Sequence, residues 1–145
     1  MIPYGKHHID QTDIDAVVDV LQNQFLTQGQ QVPAFEKALT DYTGASYALA
    51  VNSATSALHL ACLALGVKKG DVVWTTPITF VATANCIRFC QADVDFVDIN
   101  PSSRNICPLA LKEKLQQAAQ KNKLPKALIL VHFAGFSCDM QAITD

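Results

Sequence analysis

The run Asn52-Ser53-Ala54-Thr55-Ser56 combines three hydroxyl groups with little side-chain bulk and contains no glycine. It joins a predicted buried strand at 47–52 to a predicted helix at 55–65. A helix N-terminus offers unpaired N–H groups and a partial positive charge, which suit a phosphate group. An ordinary N-cap, in which Ser53 or Thr55 accepts a hydrogen bond from a first-turn amide, explains the same residues. The sequence contains neither GxGxxG nor the P-loop pattern, so it does not indicate those phosphate sites.

A second candidate contact is Phe80, in the segment TTPITFVATANCI (75–87) that follows the next predicted strand. Ligands of open parallel sheets bind at the carboxyl ends of the strands. A phosphate site and an aromatic side chain at two such ends could therefore hold a flat phosphorylated ring. The alternative is that Phe80 is a core residue, as most phenylalanines are. His132, in VHFAG, is either a ligand contact or a hydrogen-bonded structural histidine.

Strands and helices alternate along most of the chain. The alternation predicts strands at 47–52, 72–75, 94–97 and 127–131 and helices at 13–23, 33–43, 55–65, 79–89 and 108–120. A capping box of Thr12 and Asp15 is expected to start the first helix, and Gly44 to end the second. Short apolar strands are typical of parallel strands covered on both faces, so we predict an α/β fold with a mostly parallel sheet and helices on both faces. The helix at 55–65 is apolar on all sides and is predicted to be buried.

The composition excludes several classes of protein. Half of the 145 residues are hydrophobic and 17% are charged, which is typical of a folded domain with a core. The net charge of -2 gives no electrostatic reason to bind nucleic acid or an anionic membrane. The sequence shows neither a membrane segment nor a signal-peptide core, which predicts a cytoplasmic protein. The five cysteines are expected to be free, with Cys86 and Cys90 buried as small hydrophobic residues and no metal site.

Four segments occur in order along the chain, namely LTQGQQVPAFEKAL, ALAVNSATSALHLA, TTPITFVATAN and VHFAG. Together they resemble the N-terminal part of the DegT/StrS-type sugar-nucleotide aminotransferases, pyridoxal-phosphate enzymes of fold type I. The resemblance covers essentially the whole chain. It implies N-terminal helices and a substrate-side loop at 1–46, and the first part of the cofactor-binding large domain at 47–145.

The resemblance also implies a reaction and partners. The cofactor would be pyridoxal 5′-phosphate, and the amino group would pass from an amino acid, L-glutamate, to a UDP-linked 4-keto-6-deoxy sugar. Such reactions serve nucleotide-sugar and surface-polysaccharide biosynthesis, including that of pseudaminic acid. The complete protein would be a homodimer.

Residue roles follow from the same match. Ala54 and Thr55 would bind the cofactor phosphate, Thr55 through its hydroxyl and Ala54 through its backbone amide. Phe80 would stack on the pyridine ring. The residues that would line the sugar-nucleotide pocket are Tyr4, Gln24, Phe25, Leu26, Thr27 and Ala54.

The Schiff-base lysine of the family is expected beyond Asp145. The lysines present are Lys6, Lys37, Lys68, Lys69, Lys112, Lys114, Lys121, Lys123 and Lys126. All lie in predicted polar helix faces, turns or linkers, whereas a Schiff-base lysine needs a desolvated pocket. The resemblance therefore implies an N-terminal fragment, truncated before the catalytic lysine and inactive by itself. The alternatives are a non-catalytic α/β module that binds a phosphorylated ligand, or a partner subunit of a complete protein.

Overall fold

A computed structural model describes residues 5–145, so the predicted substrate contact Tyr4 lies outside the described residues. The chain divides into two compact units, the first ending at Ala50 and the second running from Val51 to Asp145. Within the described residues, none of the helices combines the length and the apolar character that a membrane span needs.

The first helix, α1, spans Gln11–Asn23 and starts from a capping box that lies two residues earlier than expected. The Asp10 carboxylate accepts hydrogen bonds from the amides of Thr12 and Asp13. In return, the Asp13 carboxylate accepts the Asp10 amide at 2.9 Å. The predicted pair of Thr12 and Asp15 is wrong because Thr12 already lies in the first helical turn, while an N-cap needs extended backbone, as Asp10 has.

The second helix, α2, spans Gln31–Thr43 and is followed, as predicted, by Gly44 in the left-handed conformation (φ 73°). The segment 47–52 that comes next is not a strand, so that prediction is wrong. A strand requires a neighbour that pairs with its backbone, and this segment has no such partner among the described residues. The Ala50 amide donates instead to the Glu36 carboxylate at 2.8 Å.

A three-stranded parallel sheet in the order β2-β1-β3 forms the centre of the second unit. The strands are β1, Val72–Thr75, β2, Asp93–Phe96, and β3, Ala127–Leu128. Val73 of β1 lies opposite Val94 of β2 and Ala127 of β3. The central position of β1 explains why most of its residues are buried.

Strand β3 is shorter than the predicted strand at 127–131. The Ile129 amide still donates to the Trp74 carbonyl at 2.8 Å. The Ile129 carbonyl, however, accepts from the Thr75 hydroxyl at 3.0 Å rather than from a backbone amide. The ladder between β1 and β3 therefore ends at the pair Trp74 and Leu128, and the side-chain hydrogen bond of Thr75 continues the contact between the two strand ends.

The helices of the second unit are α3, Ala54–Ala64, α4, Ala82–Phe89, α5, Pro108–Gln120, and α6, Met140–Thr144. Successive residues of a strand point to opposite faces of a sheet. Val73 is buried in a cluster with Cys62 of α3 and Cys86 of α4, whereas Trp74 is buried in a second cluster with Leu111 of α5. The sheet therefore has helices on both faces, as predicted.

Helix α3 is not buried on all sides, so that prediction is wrong. Cys62 is only 3% exposed, but Leu60 and Leu63 are 42% and 49% exposed. Within the described residues α4 is the only helix that packs against α3. Although α3 is apolar on all sides, only the face that meets α4 is covered by another helix. Cys86 and Cys90 lie buried in the same core, and all five cysteines are free thiols.

Candidate functional site

The N-terminus of α3 is capped by its own sequence. Ser53 has extended backbone (φ -161°, ψ 155°), and its hydroxyl accepts the Ser56 amide at 3.1 Å. The Ser56 hydroxyl donates to the side-chain oxygen of Asn52 at 2.7 Å and lies 3.1 Å from the Ser53 hydroxyl. Two of the three hydroxyl groups of the run are therefore occupied inside the loop.

Ala54 and Thr55 keep their donors available. Within residues 5–145, neither backbone amide nor the Thr55 hydroxyl has a hydrogen-bond partner. Ala54 is exposed and Thr55 is half-buried. Two free amides and one hydroxyl at a helix N-terminus fit a phosphate group. The two interpretations that the sequence left open therefore coexist, with Ser53 as the cap and Ala54 and Thr55 as candidate phosphate contacts.

Phe80 lies in the segment that links β1 to α4, and 75% of its surface is exposed. It is thus not a core residue of the second unit. Hydroxyl groups hold the segment in place, because Thr76 is 1% exposed and the Thr79 hydroxyl lies 2.8 Å from that of Thr83. The Thr83 amide donates to the Phe80 carbonyl at 3.0 Å. An exposed ring on such a fixed turn is available to stack on a flat ligand.

The two candidate segments precede helices that pack on each other. Cys62 Sγ of α3 lies 3.8 Å from Cys86 Sγ of α4. The rings of His59 and Phe89 meet edge to face, with centroids 5.4 Å apart. This packing places the N-terminus of α3 and the aromatic segment in one structural unit.

His132 follows β3 at the sheet edge where Phe80 follows β1, since the two strands are parallel neighbours. Its side chain is exposed. Its Nδ1 accepts a hydrogen bond from the Cys138 amide at 3.0 Å. The structure therefore gives His132 the hydrogen bond of a structural histidine and the exposure of a ligand contact at the same time.

Asn105 supports this edge and was not identifiable from the sequence. Its side chain is 3% exposed, donates to the Phe136 carbonyl at 2.8 Å and accepts from the Phe133 amide at 2.9 Å. These partners lie 31 and 28 residues away along the chain. No local pattern signals such an interaction, because it exists only once β3 has brought the following turn back to residue 105.

The predicted substrate contacts Gln24–Thr27 lie in the first unit, in the loop between α1 and α2. Phe25 and Leu26 are 84% and 68% exposed. The loop borders a cleft of about 310 Å³, lined mainly by glutamine side chains and by Phe25. Exposed apolar side chains beside amide groups are a composition that can contact both a nucleotide base and sugar hydroxyls.

Hydrogen bonds and one glycine shape that loop. The Gln24 side chain donates to the Asp19 carboxylate at 2.6 Å and accepts from Gln31 at 3.1 Å. A Cβ atom at Gly29 would lie 2.3 Å from the Phe25 carbonyl oxygen. Glycine at this position is therefore required for the close approach that closes the loop.

A profile of the DegT/DnrJ/EryC1/StrS aminotransferase family matches residues 7–145. The UDP-4-amino-4,6-dideoxy-N-acetyl-beta-L-altrosamine transaminase of Campylobacter jejuni is 44% identical over 146 residues, which cover 100% of this chain and 37% of the relative. The spore coat polysaccharide biosynthesis protein SpsC of Bacillus subtilis is 41% identical over 142 residues, covering 98% of this chain and 35% of SpsC. The chain thus spans little more than a third of the length of these relatives.

Solved structures are similar over nearly the whole chain. Helicobacter pylori PseC, an aminotransferase involved in the biosynthesis of pseudoaminic acid, superposes with a TM-score of 0.86 at 35% identity, covering 97% of this chain and 37% of PseC. The sugar aminotransferase Spr1654 of Streptococcus pneumoniae, in its PLP-form, gives a TM-score of 0.86 at 28% identity, covering 99% of this chain and 35% of Spr1654. These likenesses confirm the predicted fold, the N-terminal portion of a fold type I large domain.

Proposed function

We propose a function from the premise that this chain belongs to the DegT/DnrJ/EryC1/StrS aminotransferase family, whose cofactor is pyridoxal 5′-phosphate. The whole protein transfers an amino group from L-glutamate to a UDP-linked 4-keto-6-deoxy sugar. The observation that carries this proposal is the pair of free amides and the free hydroxyl of Ala54 and Thr55 at the start of α3. The 44% identity to the altrosamine transaminase supports the choice of sugar, and with it a place in pseudaminic acid or surface-polysaccharide biosynthesis.

The residues present fit the cofactor. The Thr55 hydroxyl and the amides of Ala54 and Thr55 would hold its phosphate, where the positive end of the α3 dipole favours a dianion. Phe80 would stack on its ring and fix the plane in which it lies. The bound cofactor supplies an electron sink through which an amino group can pass from donor to acceptor. The residues of this chain bind and orient it.

As residues that contact the substrate we propose Tyr4, those of the loop Gln24–Thr27, and Ala54. The exposure of Phe25 and Leu26 and the glutamine-lined cleft beside them support this role for the loop. The side chain of Ala54 is a single methyl group and the residue is exposed, so a phosphate or sugar can approach its backbone closely.

We propose no catalytic lysine among the described residues. Lys114 is partly desolvated, with 27% of its side chain exposed, but its Nζ lies 2.7 Å from the Asp95 carboxylate and 4.8 Å from the centre of the Trp74 ring. Both contacts engage the ammonium group, whereas a nucleophilic lysine needs an amine that is available to attack. Residues 1–145 alone are therefore expected to bind ligand without turnover. As a second candidate function, residues 1–145 alone would form either a module that binds a phosphorylated ligand or a partner subunit of a complete protein.

The proposed assembly is a homodimer in the cytoplasm. Large apolar side chains such as Tyr47, Leu49 and Phe25 are 91%, 76% and 84% exposed, and apolar surface of this kind is usually covered in the working protein. The five free thiols fit a reducing compartment.

The test uses the protein as its gene encodes it. We expect it to bind pyridoxal 5′-phosphate, seen as a change in the visible spectrum of the cofactor. With L-glutamate and a UDP-4-keto-6-deoxy sugar it should form 2-oxoglutarate and an aminated sugar, measured by mass spectrometry. A chain limited to residues 1–145 serves as the control and should show no turnover. Failure of the encoded protein to bind the cofactor would refute the proposal.

A further inference from the structure

The imidazole ring of His132 has one nitrogen in use and one available. Nδ1 accepts the Cys138 amide at 3.0 Å, so a neutral ring carries its proton on Nε2. Within residues 5–145, Nε2 has no hydrogen-bond acceptor, and the side chain is exposed. His132 therefore presents a single N–H donor of defined direction.

The turn that holds this ring is fixed on both sides. The buried side chain of Asn105 accepts a hydrogen bond from the Phe133 backbone amide and donates one to the Phe136 backbone carbonyl. Cys138 is 5% exposed, and its thiol donates to the Val131 carbonyl at 3.3 Å. The direction of the Nε2 donor is thus set by the protein before any ligand binds.

The donor lies at the edge of the sheet where the proposed site is. Strands β1 and β3 are parallel neighbours, and the Thr75 hydroxyl bonds the Ile129 carbonyl between their carboxyl ends. The chain continues to Phe80 after β1 and to His132 after β3. Ligands of parallel sheets bind at this edge.

We propose that His132 donates a hydrogen bond from Nε2 to a negatively charged oxygen of the ligand held at Phe80. It acts as a donor and not as a base, because Nδ1 is occupied by the Cys138 amide and Nε2 carries the proton. The oxygen is either the ring phenolate of the cofactor or the carboxylate of the amino donor, which share the same acceptor chemistry. This assignment rests on the proposed function and makes His132 a residue that orients the ring.

Two substitutions in the protein as its gene encodes it separate the two nitrogens. In His132→Asn the side-chain oxygen occupies the position of Nδ1, so the bond from Cys138 is kept and the outer donor is lost. In His132→Gln the amide nitrogen reaches the position of Nε2, so the donor is kept and the inner bond is lost. Affinity is measured by titration with pyridoxal 5′-phosphate, with its 3-deoxy analogue, and with the cofactor plus L-glutamate. Thermal melting reports on the turn.

We expect His132→Asn to melt at the same temperature as the parent and to bind its ligand about tenfold more weakly. A loss of this size is expected when a charge-assisted hydrogen bond is removed. His132→Gln should melt at a lower temperature and keep its affinity within about threefold. If the phenolate is the acceptor, the tenfold loss disappears with the 3-deoxy analogue; if the carboxylate is, the loss appears only with L-glutamate. Unchanged affinity of His132→Asn in every titration overturns the assignment while the proposed function stands. A parent that binds no cofactor overturns both.

Discussion

Replacing Thr55 by valine tests the phosphate site directly. Valine keeps the branched shape of threonine and removes only the hydroxyl. That hydroxyl has no partner within residues 5–145, so no internal hydrogen bond of the described chain is lost and α3 should form as before. A charge-assisted hydrogen bond to a phosphate contributes about 1.5–3 kcal/mol. Its loss corresponds to roughly tenfold to hundredfold weaker cofactor binding.

Ser53→Ala is the matched control, two residues away on the same loop. It removes the cap that accepts the Ser56 amide at 3.1 Å and should destabilise the protein by about 1 kcal/mol. The donors of Ala54 and Thr55 are unchanged by it, so affinity should fall less than in Thr55→Val. Ala54→Leu completes the set, because it keeps every donor and blocks the approach of the phosphate to the backbone.

The assay is a titration of each variant with pyridoxal 5′-phosphate, followed by absorbance, beside a urea unfolding curve. Thr55→Val should lose affinity with little change in the free energy of unfolding, and Ser53→Ala should show the reverse. Parent-like affinity in both Thr55→Val and Ala54→Leu would show that the start of α3 is only a helix cap. The assignment of the phosphate to this loop would then be wrong.

Three further predictions concern the surroundings of the site. Phe80→Ala should weaken cofactor binding several-fold and leave thermal stability nearly unchanged, because the ring is 75% exposed, while Phe80→Tyr should bind like the parent in the same titration. The hydrogen bond from Lys114 lowers the pKa of Asp95 below its usual value of 3.8. The ionised carboxylate therefore stabilises the folded state above pH 3.8, and this stabilisation is lost as the pH falls through the lowered pKa. Urea unfolding between pH 5 and pH 2 should therefore show a loss of under about 1 kcal/mol that is absent in Asp95→Asn, since solvent screens the Asp95 carboxylate, whose side chain is 52% exposed. Burial, with a smaller contribution from a neighbouring thiol, raises the pKa of Cys62 to about 11, so a thiol reagent at pH 8 should label the half-buried Cys107 first, and rapid native labelling of Cys62 would contradict its burial.

Two elements were predictable to the residue, whereas the predicted helices at 13–23 and 79–89 begin at Gln11 and Ala82 in the structure. The strand at 72–75 and the helix at 108–120 have the predicted bounds, the latter because Pro108 stands at the start of the helix. The segments 47–52 and 127–131 were overpredicted, because an apolar run shows only that a strand is possible. Whether it forms depends on a partner for its backbone, which is a non-local property.

The candidate site divides in the same way. The types and spacing of Ser53, Ala54 and Thr55 predict an anion-binding or capped helix start. They do not predict which hydroxyl caps the helix and which remains available for an anion. That division depends on side-chain rotamers, which the sequence does not specify. The inner hydrogen bond of His132 depends on a turn that Asn105 holds from another part of the chain.

The absence of glycine from the loop before α3 has a physical explanation in this division of roles. A glycine-rich loop lets a phosphate approach the backbone closely, but its chain loses more entropy when it becomes ordered. Here the Ser53 hydroxyl accepts a hydrogen bond from the Ser56 amide and thereby fixes the helix start. The Ser53 carbonyl accepts a hydrogen bond from the Ala57 amide at 3.1 Å. Of the first four amides of the helix, only those of Ala54 and Thr55 then remain for an anion. The loop thus holds two donors in position without a ligand, and the alanine side chain is small enough to leave them accessible.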